Sequence, residues 1–98
     1  MYGLMGSFKA VEGRRAELVR LLLAEVDALP GCLSYVVAED PADEVTIWVT
    51  EVWTDAAAHK ASLQLPAVKA VIARAMPLIA AFGEHRETRP AGGHGLVH

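Results

Sequence analysis

Four side chains that could take part in chemistry lie close together in the middle of this 98-residue chain. Glu51 and Trp53 are separated by one residue, and His59 and Ser62 follow shortly after them. A histidine titrates near neutral pH and can accept or donate a proton in a reaction. A tryptophan can stack on a flat aromatic molecule. Together these residue types are candidates for a site that binds a small molecule and transfers a proton.

The local sequence pattern predicts how these side chains are positioned. Residues 45–53 alternate in period two and are mostly β-branched or aromatic, which is typical of a strand. Glu51 and Trp53 therefore share one face, and Trp48 points to the other. Thr54 or Asp55 can then cap a helix that carries His59 and Ser62. The end of this strand and the start of the following helix would thus bring the four side chains close together.

His59 and Trp53 each have a functional and a structural interpretation. His59 could be the catalytic base, or it could be a hydrogen-bonded helix residue without a chemical role. Trp53 could bind a substrate ring, or it could fill the core at the end of its strand.

Glu51 and Ser62 are further substrate-binding candidates. A carboxylate on the inner face of a sheet needs a partner or partial solvation. Glu51 could orient His59, but an ion pair with Arg86 or Arg89 on the last strand is the favoured interpretation. Ser62 could donate to a substrate oxygen, although a helix serine more often bonds to its own backbone.

The order of predicted elements is β-α-β-β-α-β, with the second helix split. This order indicates an α+β fold of the ferredoxin-like type, with a four-stranded antiparallel sheet and its helices on one face. Pro66 fits the first turn of a helix, Pro77 should break that helix near Ala75, and Gly83 is a candidate C-terminal cap. The predicted ranges are strands 2–10, 32–39, 44–53 and 84–89, and a first helix over 14–29 that Pro30-Gly31 terminates.

The length of the chain indicates one domain over residues 1–90, followed by a flexible tail over 91–98 that contains His94. Apolar residues make up 53% of the chain and charged residues 21%. This is more apolar surface than so small a core can bury, so we expect a homodimer that pairs through the open face of the sheet.

Charge and cysteine content argue against several classes of function. The net charge is −3, and no basic patch is visible, so we expect no nucleic-acid partner. Cys32 is the only cysteine, and the chain has neither a basic leader before an apolar run nor a long apolar segment. We therefore expect a cytoplasmic protein without a membrane partner. His85, His94 and His98 lack close metal-ligand spacing, so no metal site is predicted.

Several segments resemble the antibiotic biosynthesis monooxygenase family, and most closely its quinol monooxygenase-like members. They are PGCLSY, TEVW, HKASLQLPAVKAVIARAMPLIAAF and GGHGL. The resemblance implies a dimeric α+β barrel with a pocket between each sheet and its helices. It also implies oxygenation of a phenol, anthrone or quinol by O2 without metal, flavin or haem.

The resemblance carries over only in part at the site. Trp53 matches a pocket tryptophan of the family, but Val49 stands where some members have asparagine. Ser62 stands where many members have histidine, and here the histidine comes earlier, as His59. Met76 replaces an arginine that precedes the proline in close relatives. The Asn-Trp-His set of the haem-degrading members has no counterpart, which argues against haem.

The resemblance thus implies a cofactor-independent monooxygenase that acts on a small phenolic or quinol substrate with O2. His59 is the predicted catalytic residue, and Trp53, Glu51 and Ser62 are the predicted substrate-binding residues. Two alternatives remain open. The chain could be a non-redox enzyme on the same scaffold, such as a lactone isomerase or a dehydratase, or a dimeric ligand-binding module without catalysis.

Overall fold

Four antiparallel strands form one sheet in the order β2-β3-β1-β4. The computed structural model describes residues 1–24 and 29–96. Helices α1, α2 and α3 lie on one face of the sheet, which confirms the predicted ferredoxin-like α+β fold. The elements are β1 (Tyr2–Ala10), α1 (Arg15–Leu23), β2 (Cys32–Glu39), β3 (Thr46–Trp53), α2 (Ala56–Ser62), α3 (Pro66–Ala75) and β4 (Ile79–Thr88).

Strand β3 lies inside the sheet, between β2 and β1, and alternates between two environments. Its inward side chains Ile47, Val49 and Trp53 are buried, whereas Trp48 is 41% exposed on the opposite face. The predicted opposition of the two tryptophans is therefore confirmed. Leu18 of α1 and Leu78 pack with Ile47 and Val49 to form the core.

Helix α1 is shorter than the predicted helix over residues 14–29. It ends at Leu23, Leu29 is not helical, and residues 25–28 of the prediction lie outside the described residues. The Cys32 amide donates to the Leu29 carbonyl at 3.1 Å, and Gly31 has a φ of +79°. Proline followed by glycine in this position is the pattern of a type II turn, which leads the chain into β2 rather than extending the helix.

The second helical region follows the prediction at both prolines. Pro66 begins α3, and α3 ends at Ala75, where a short 3₁₀ turn (Met76–Leu78) redirects the chain. Proline has no amide hydrogen and cannot continue the helical bonding pattern at Pro77.

Strand β4 begins at Ile79, five residues earlier than predicted, so the proposed capping role of Gly83 is wrong. Gly83 lies within β4, at an irregularity in the pairing with β1. A Cβ atom there would lie 2.6 Å from the Ser7 hydroxyl oxygen, and that oxygen accepts from the Glu84 amide at 2.9 Å. The glycine therefore permits close contact between two strands. In the sequence, a single glycine followed by polar residues did not indicate that Gly83 belongs to a strand and lies close to Ser7.

Helix α1 is attached to the β2–β3 turn by the side chain of Arg15. Its Nη1 atom donates to the backbone carbonyls of Asp40, Asp43 and Thr46 at 3.1, 2.7 and 3.3 Å. Its Nε atom lies 3.3 Å from a Glu39 carboxylate oxygen. One half-buried guanidinium group thus adds a charged donor to three carbonyls of the turn, two of which (Asp43 and Thr46) also accept backbone amides within it.

The other face of the sheet carries no helix of the described chain. Met5, Val36 and Trp48 are exposed there, and the Trp48 indole nitrogen donates to Asp40 at 2.9 Å. In the described ranges, no helix is long and apolar enough to cross a bilayer. Residues 89–96 follow β4 without a further helix or strand, and the predicted domain limit at residue 90 stays a prediction.

Replacing Arg15 with alanine should lower the free energy of unfolding by about 1–3 kcal/mol, because three buried or half-buried carbonyls lose a charged donor. Arg14→Ala is the matched control. Arg14 is exposed and contacts only its helix neighbour Glu17 among the described residues, so its loss should cost less than about 0.5 kcal/mol. Urea unfolding followed by far-UV circular dichroism measures both values. Equal losses for the two variants would contradict the proposed attachment.

Candidate functional site

A cavity of about 140 Å³ lies between the sheet and the three helices. Its floor comes from β2 and β3, and its walls come from α1, α2, α3 and neighbouring loop residues. All four side chains singled out in the sequence line it. The lining residues are Leu22, Leu29, Tyr35, Glu51, Trp53, His59, Ser62, Leu63, Val68, Val71 and Ile72.

Trp53 and Glu51 are joined by a hydrogen bond. The indole nitrogen of Trp53 donates to Oε1 of Glu51 at 2.9 Å. Trp53 is 1% exposed and Glu51 is half-buried, so this bond satisfies a buried donor and fixes the plane of the indole ring. The second carboxylate oxygen of Glu51 takes no part in this hydrogen bond.

The favoured ion pair between Glu51 and an arginine of the last strand is wrong. Arg86 lies opposite Met5 on the open face of the sheet and contacts Glu84 at 3.2 Å. In the described part of the chain, Glu51 forms no ion pair with Arg86 or Arg89. The irregular pairing of β4 near Gly83 shifts the phase of the strand, and this places Arg86 on the face opposite to Glu51.

His59 lies one turn into α2 and contacts two aromatic rings. The Asp55 carboxylate accepts from the Ala58 amide at 2.7 Å, which confirms a predicted cap and fixes where α2 begins. The His59 ring is 5.3 Å from the Trp53 ring, centroid to centroid, at an interplanar angle of 69°. Tyr2 of β1 lies 5.8 Å away on the same measure. The imidazole is thus held at the edge of the indole and lines the cavity, as the sequence predicted.

Ser62 lines the cavity, but its hydroxyl group is already used as a donor. It donates to the His59 carbonyl at 2.6 Å, which is the backbone bond typical of a helix serine. The side chain is 5% exposed. Its lone pairs can still accept a hydrogen bond, so Ser62 can contribute an acceptor to the cavity, whereas the predicted donor role conflicts with the geometry.

Tyr35 is a polar lining residue that the sequence reasoning missed. It lies directly opposite Glu51 in the β2–β3 pairing, so both side chains rise from the same face of the sheet. Burial, and then the charge of Glu51, raise the pKa of the Tyr35 phenol well above its usual value. Tyr35 therefore stays a neutral hydrogen-bond donor. The sequence did contain a hint, because residues alternate between the two faces of the strand CLSYVVAE. Tyr35 is placed on the inner face only when the pairing of β2 with β3 is known.

The cavity combines a mainly apolar wall with a few polar groups on the floor and one side. A neutral phenol, a carboxylate and an imidazole can together bind a hydroxyl-bearing ring and accept its proton. Across residues 1–24 and 29–96, no group of three histidine, cysteine or acidic side chains is arranged to hold a metal ion.

The chain belongs to the antibiotic biosynthesis monooxygenase family, whose model matches residues 1–74. A comparison with curated proteins gave no significant match.

Solved structures resemble the whole chain. A Chloroflexus aurantiacus protein provisionally assigned to the same family is 53% identical, with a TM-score of 0.95 and 98% of both chains covered. A Deinococcus radiodurans protein with the same provisional assignment is 24% identical over the full length of both chains, with a TM-score of 0.78. SnoaB of Streptomyces nogalater, described as a cofactor-independent oxygenase, is 18% identical over 95% of both chains, with a TM-score of 0.77. The latter two similarities concern the fold alone.

The raised pKa of Tyr35 has a consequence for stability in alkaline solution. An unfolded tyrosine loses its proton near pH 10, whereas the folded phenol holds its proton to higher pH. The contribution of Tyr35 is therefore complete below about pH 10 and is lost as the pH rises further. The Tyr35→Phe variant cannot ionise at this position, so its unfolding free energy should fall less steeply above pH 10 than that of the wild type.

Urea unfolding at pH 8, 10 and 11 checks this expectation. Tyr2 and Cys32 also have raised pKa values, so the informative quantity is the difference between wild type and variant. Parallel stability curves for the two proteins would contradict the assignment to Tyr35.

Proposed function

We propose that the protein is a cofactor-independent monooxygenase that oxidises a small phenolic or quinol-type ring with O2. The observation that carries the proposal is the edge-on contact of His59 with Trp53 at the wall of a largely apolar cavity of one-ring size. Family membership supports an oxygenase. The name of the SnoaB relative supports chemistry without a cofactor.

His59 acts as the proton acceptor in this mechanism. The substrate ring lies in the cavity beside the Trp53 indole, and its hydroxyl group passes a proton to the imidazole. The apolar wall excludes water from the resulting anion, which makes it a better electron donor. The residues thus bind, orient and deprotonate the ring, while the reducing electrons come from the substrate itself.

The proposed reaction balances without an added reductant. The substrate anion gives one electron to O2, and the resulting radical and superoxide combine to form a carbon–oxygen bond. The imidazolium returns its proton to give a hydroperoxide. The O–O bond then breaks as the same carbon loses its hydrogen, so that one oxygen atom remains as a carbonyl and the other leaves in water. A quinol and O2 thus yield a hydroxyquinone and H2O.

Oxygen uptake tests this proposal directly. Protein treated with a chelator and shown by its spectrum to lack flavin and haem should consume O2 with at least one member of a panel of quinols. His59→Ala should lower the rate by about 10²–10⁴-fold, the usual contribution of a general base. His85→Ala is the control, because His85 is exposed on β4 and does not line the cavity; its rate should equal that of the wild type.

Three results would count against the mechanism. Activity that depends on a bound metal, flavin or haem would contradict cofactor independence. A His59→Ala variant with the wild-type rate would remove the assigned role of His59. Substrate turnover without oxygen uptake would support a non-redox enzyme on the same scaffold.

The active form in this proposal is a homodimer. Met5, Val36 and Trp48 form an exposed apolar surface on the helix-free face of the sheet. A second copy of the chain can cover this surface and reduce the apolar area in contact with water.

Light scattering at micromolar concentration should give the mass of two chains for the wild type. Trp48→Asp should shift the mass toward one chain, because a carboxylate would be buried in the contact. Leu23→Asp is the matched control, since Leu23 is 42% exposed but lies on α1, on the other side of the sheet. A monomeric wild-type protein, or equal dissociation of both variants, would refute the proposed contact.

A further inference from the structure

The size of the cavity matches one aromatic ring. Its volume is about 140 Å³, and an engineered protein cavity of about 150 Å³ accommodates a single benzene molecule. A fused two-ring or three-ring molecule would have to extend through the mouth of the cavity or displace Leu63, Val71 or Ile72. Only a single ring can therefore be enclosed by the side chains as they stand.

The charge of the cavity is unfavourable for an anion. Glu51 is the only acidic residue among the described lining residues, and none of these is lysine or arginine. His59 could carry a positive charge, but a histidine that accepts the substrate proton must enter the reaction neutral. A ligand with its own carboxylate would therefore lose hydration and face Glu51 without a compensating cation.

A neutral hydroxyl group, by contrast, finds complementary partners on the floor. Oε1 of Glu51 is occupied by the Trp53 indole, so the other carboxylate oxygen can accept from a ligand hydroxyl. Tyr35 lies directly across from Glu51 and offers a phenolic donor. A ring hydroxyl can thus donate to Glu51 and accept from Tyr35. If that ligand passes a proton to His59, the net charge inside the cavity does not change.

We infer that this site selects an uncharged single-ring diol over its carboxylated analogue, and that Glu51 is the residue that determines this selectivity. The inference rests on the proposed function for the kind of ring involved. It goes beyond that function by naming the charge and size of the substrate and the side chain that discriminates.

Binding of two matched probes under argon tests the inference without requiring turnover. Methylhydroquinone and 2,5-dihydroxybenzoate have the same para-diol ring and differ in one methyl or carboxylate group. Isothermal titration calorimetry at pH 7 should give a Kd for methylhydroquinone at least about tenfold lower than that for the benzoate, because only the benzoate carries a charge that Glu51 repels. Glu51→Gln should reduce this ratio to below about threefold, mainly by improving benzoate binding.

Two control variants separate the charge of Glu51 from other effects. Glu12→Gln removes the same charge from the exposed loop that follows β1. Trp53 pairs with Tyr2 at the start of β1, so Glu12 lies at the far end of this strand from the cavity. This variant should leave the ratio of the two Kd values unchanged. Tyr35→Phe should weaken binding of both probes by similar factors, because it removes a donor but not the repulsion. The glutamine and phenylalanine variants keep side-chain size, and their circular dichroism spectra verify the fold.

Two groups of results would overturn the inference. The first is equal affinity of the wild type for both probes, tighter binding of the benzoate, or no measurable binding of methylhydroquinone. The second is a Glu51→Gln variant that keeps the wild-type ratio. Since no oxygen is present, these outcomes are independent of the uptake assay. A protein that binds selectively but consumes no O2 would disprove the oxygenase proposal alone, and an oxygenase without selectivity would disprove this inference alone.

Discussion

The hydrogen bond from the Trp53 indole to Glu51 is the interaction on which the candidate site depends. A carboxylate and an indole N–H both face the interior from the same side of β3, and each would be costly to bury alone. Their 2.9 Å contact satisfies both groups within two residues of one strand. The indole ring is thereby fixed as a wall of the cavity, and one carboxylate oxygen stays available to a ligand. The other cavity residues are arranged around this pair.

The surrounding fold holds two sides of the cavity at a defined separation. The floor is rigid because β3 is paired on both edges, with β2 on one side and β1 on the other. The side that carries His59 depends on α2, a seven-residue helix whose start is fixed by the Asp55 cap. Such a short helix gains little from intrinsic propensity. Its position therefore depends on packing against β3 and on the contacts of His59 with Tyr2 and Trp53.

Family and fold are shared with other proteins, whereas the polar groups of the cavity are particular to this chain. The match over residues 1–74 assigns the family, and the solved relatives agree on the fold. The arrangement of Glu51, Tyr35 and His59 belongs to the geometry of this chain. Val49 and Met76 stand where the family resemblance leads one to expect asparagine and arginine. No polar or cationic side chain stands at those two positions, so the proposed binding of a ligand relies on the groups on the floor and on His59. The fold accordingly does not specify the substrate.

The local sequence determined most of the fold and brought the side chains of the candidate site to one corner. Period-two alternation identified β3 and the opposite orientations of Trp48 and Trp53, and the cap at Asp55 and the prolines at 66 and 77 marked helix boundaries. These features are encoded by neighbours in the chain, so a pattern can reveal them. The end of α1, the start of β4 and the strand position of Gly83 depend on contacts between distant segments, and the local pattern misassigned them.

Tertiary structure alone decided the partners within the site. Tyr35 and Glu51 are sixteen positions apart in the chain, and only the β2–β3 register makes them neighbours. The choice of Trp53 rather than an arginine as the partner of Glu51 depended on the irregular pairing of β4, which turns Arg86 to the open face. Residue types and periods predict which face a side chain occupies. Which distant side chain it meets there depends on register and packing, and these are properties of the whole folded chain.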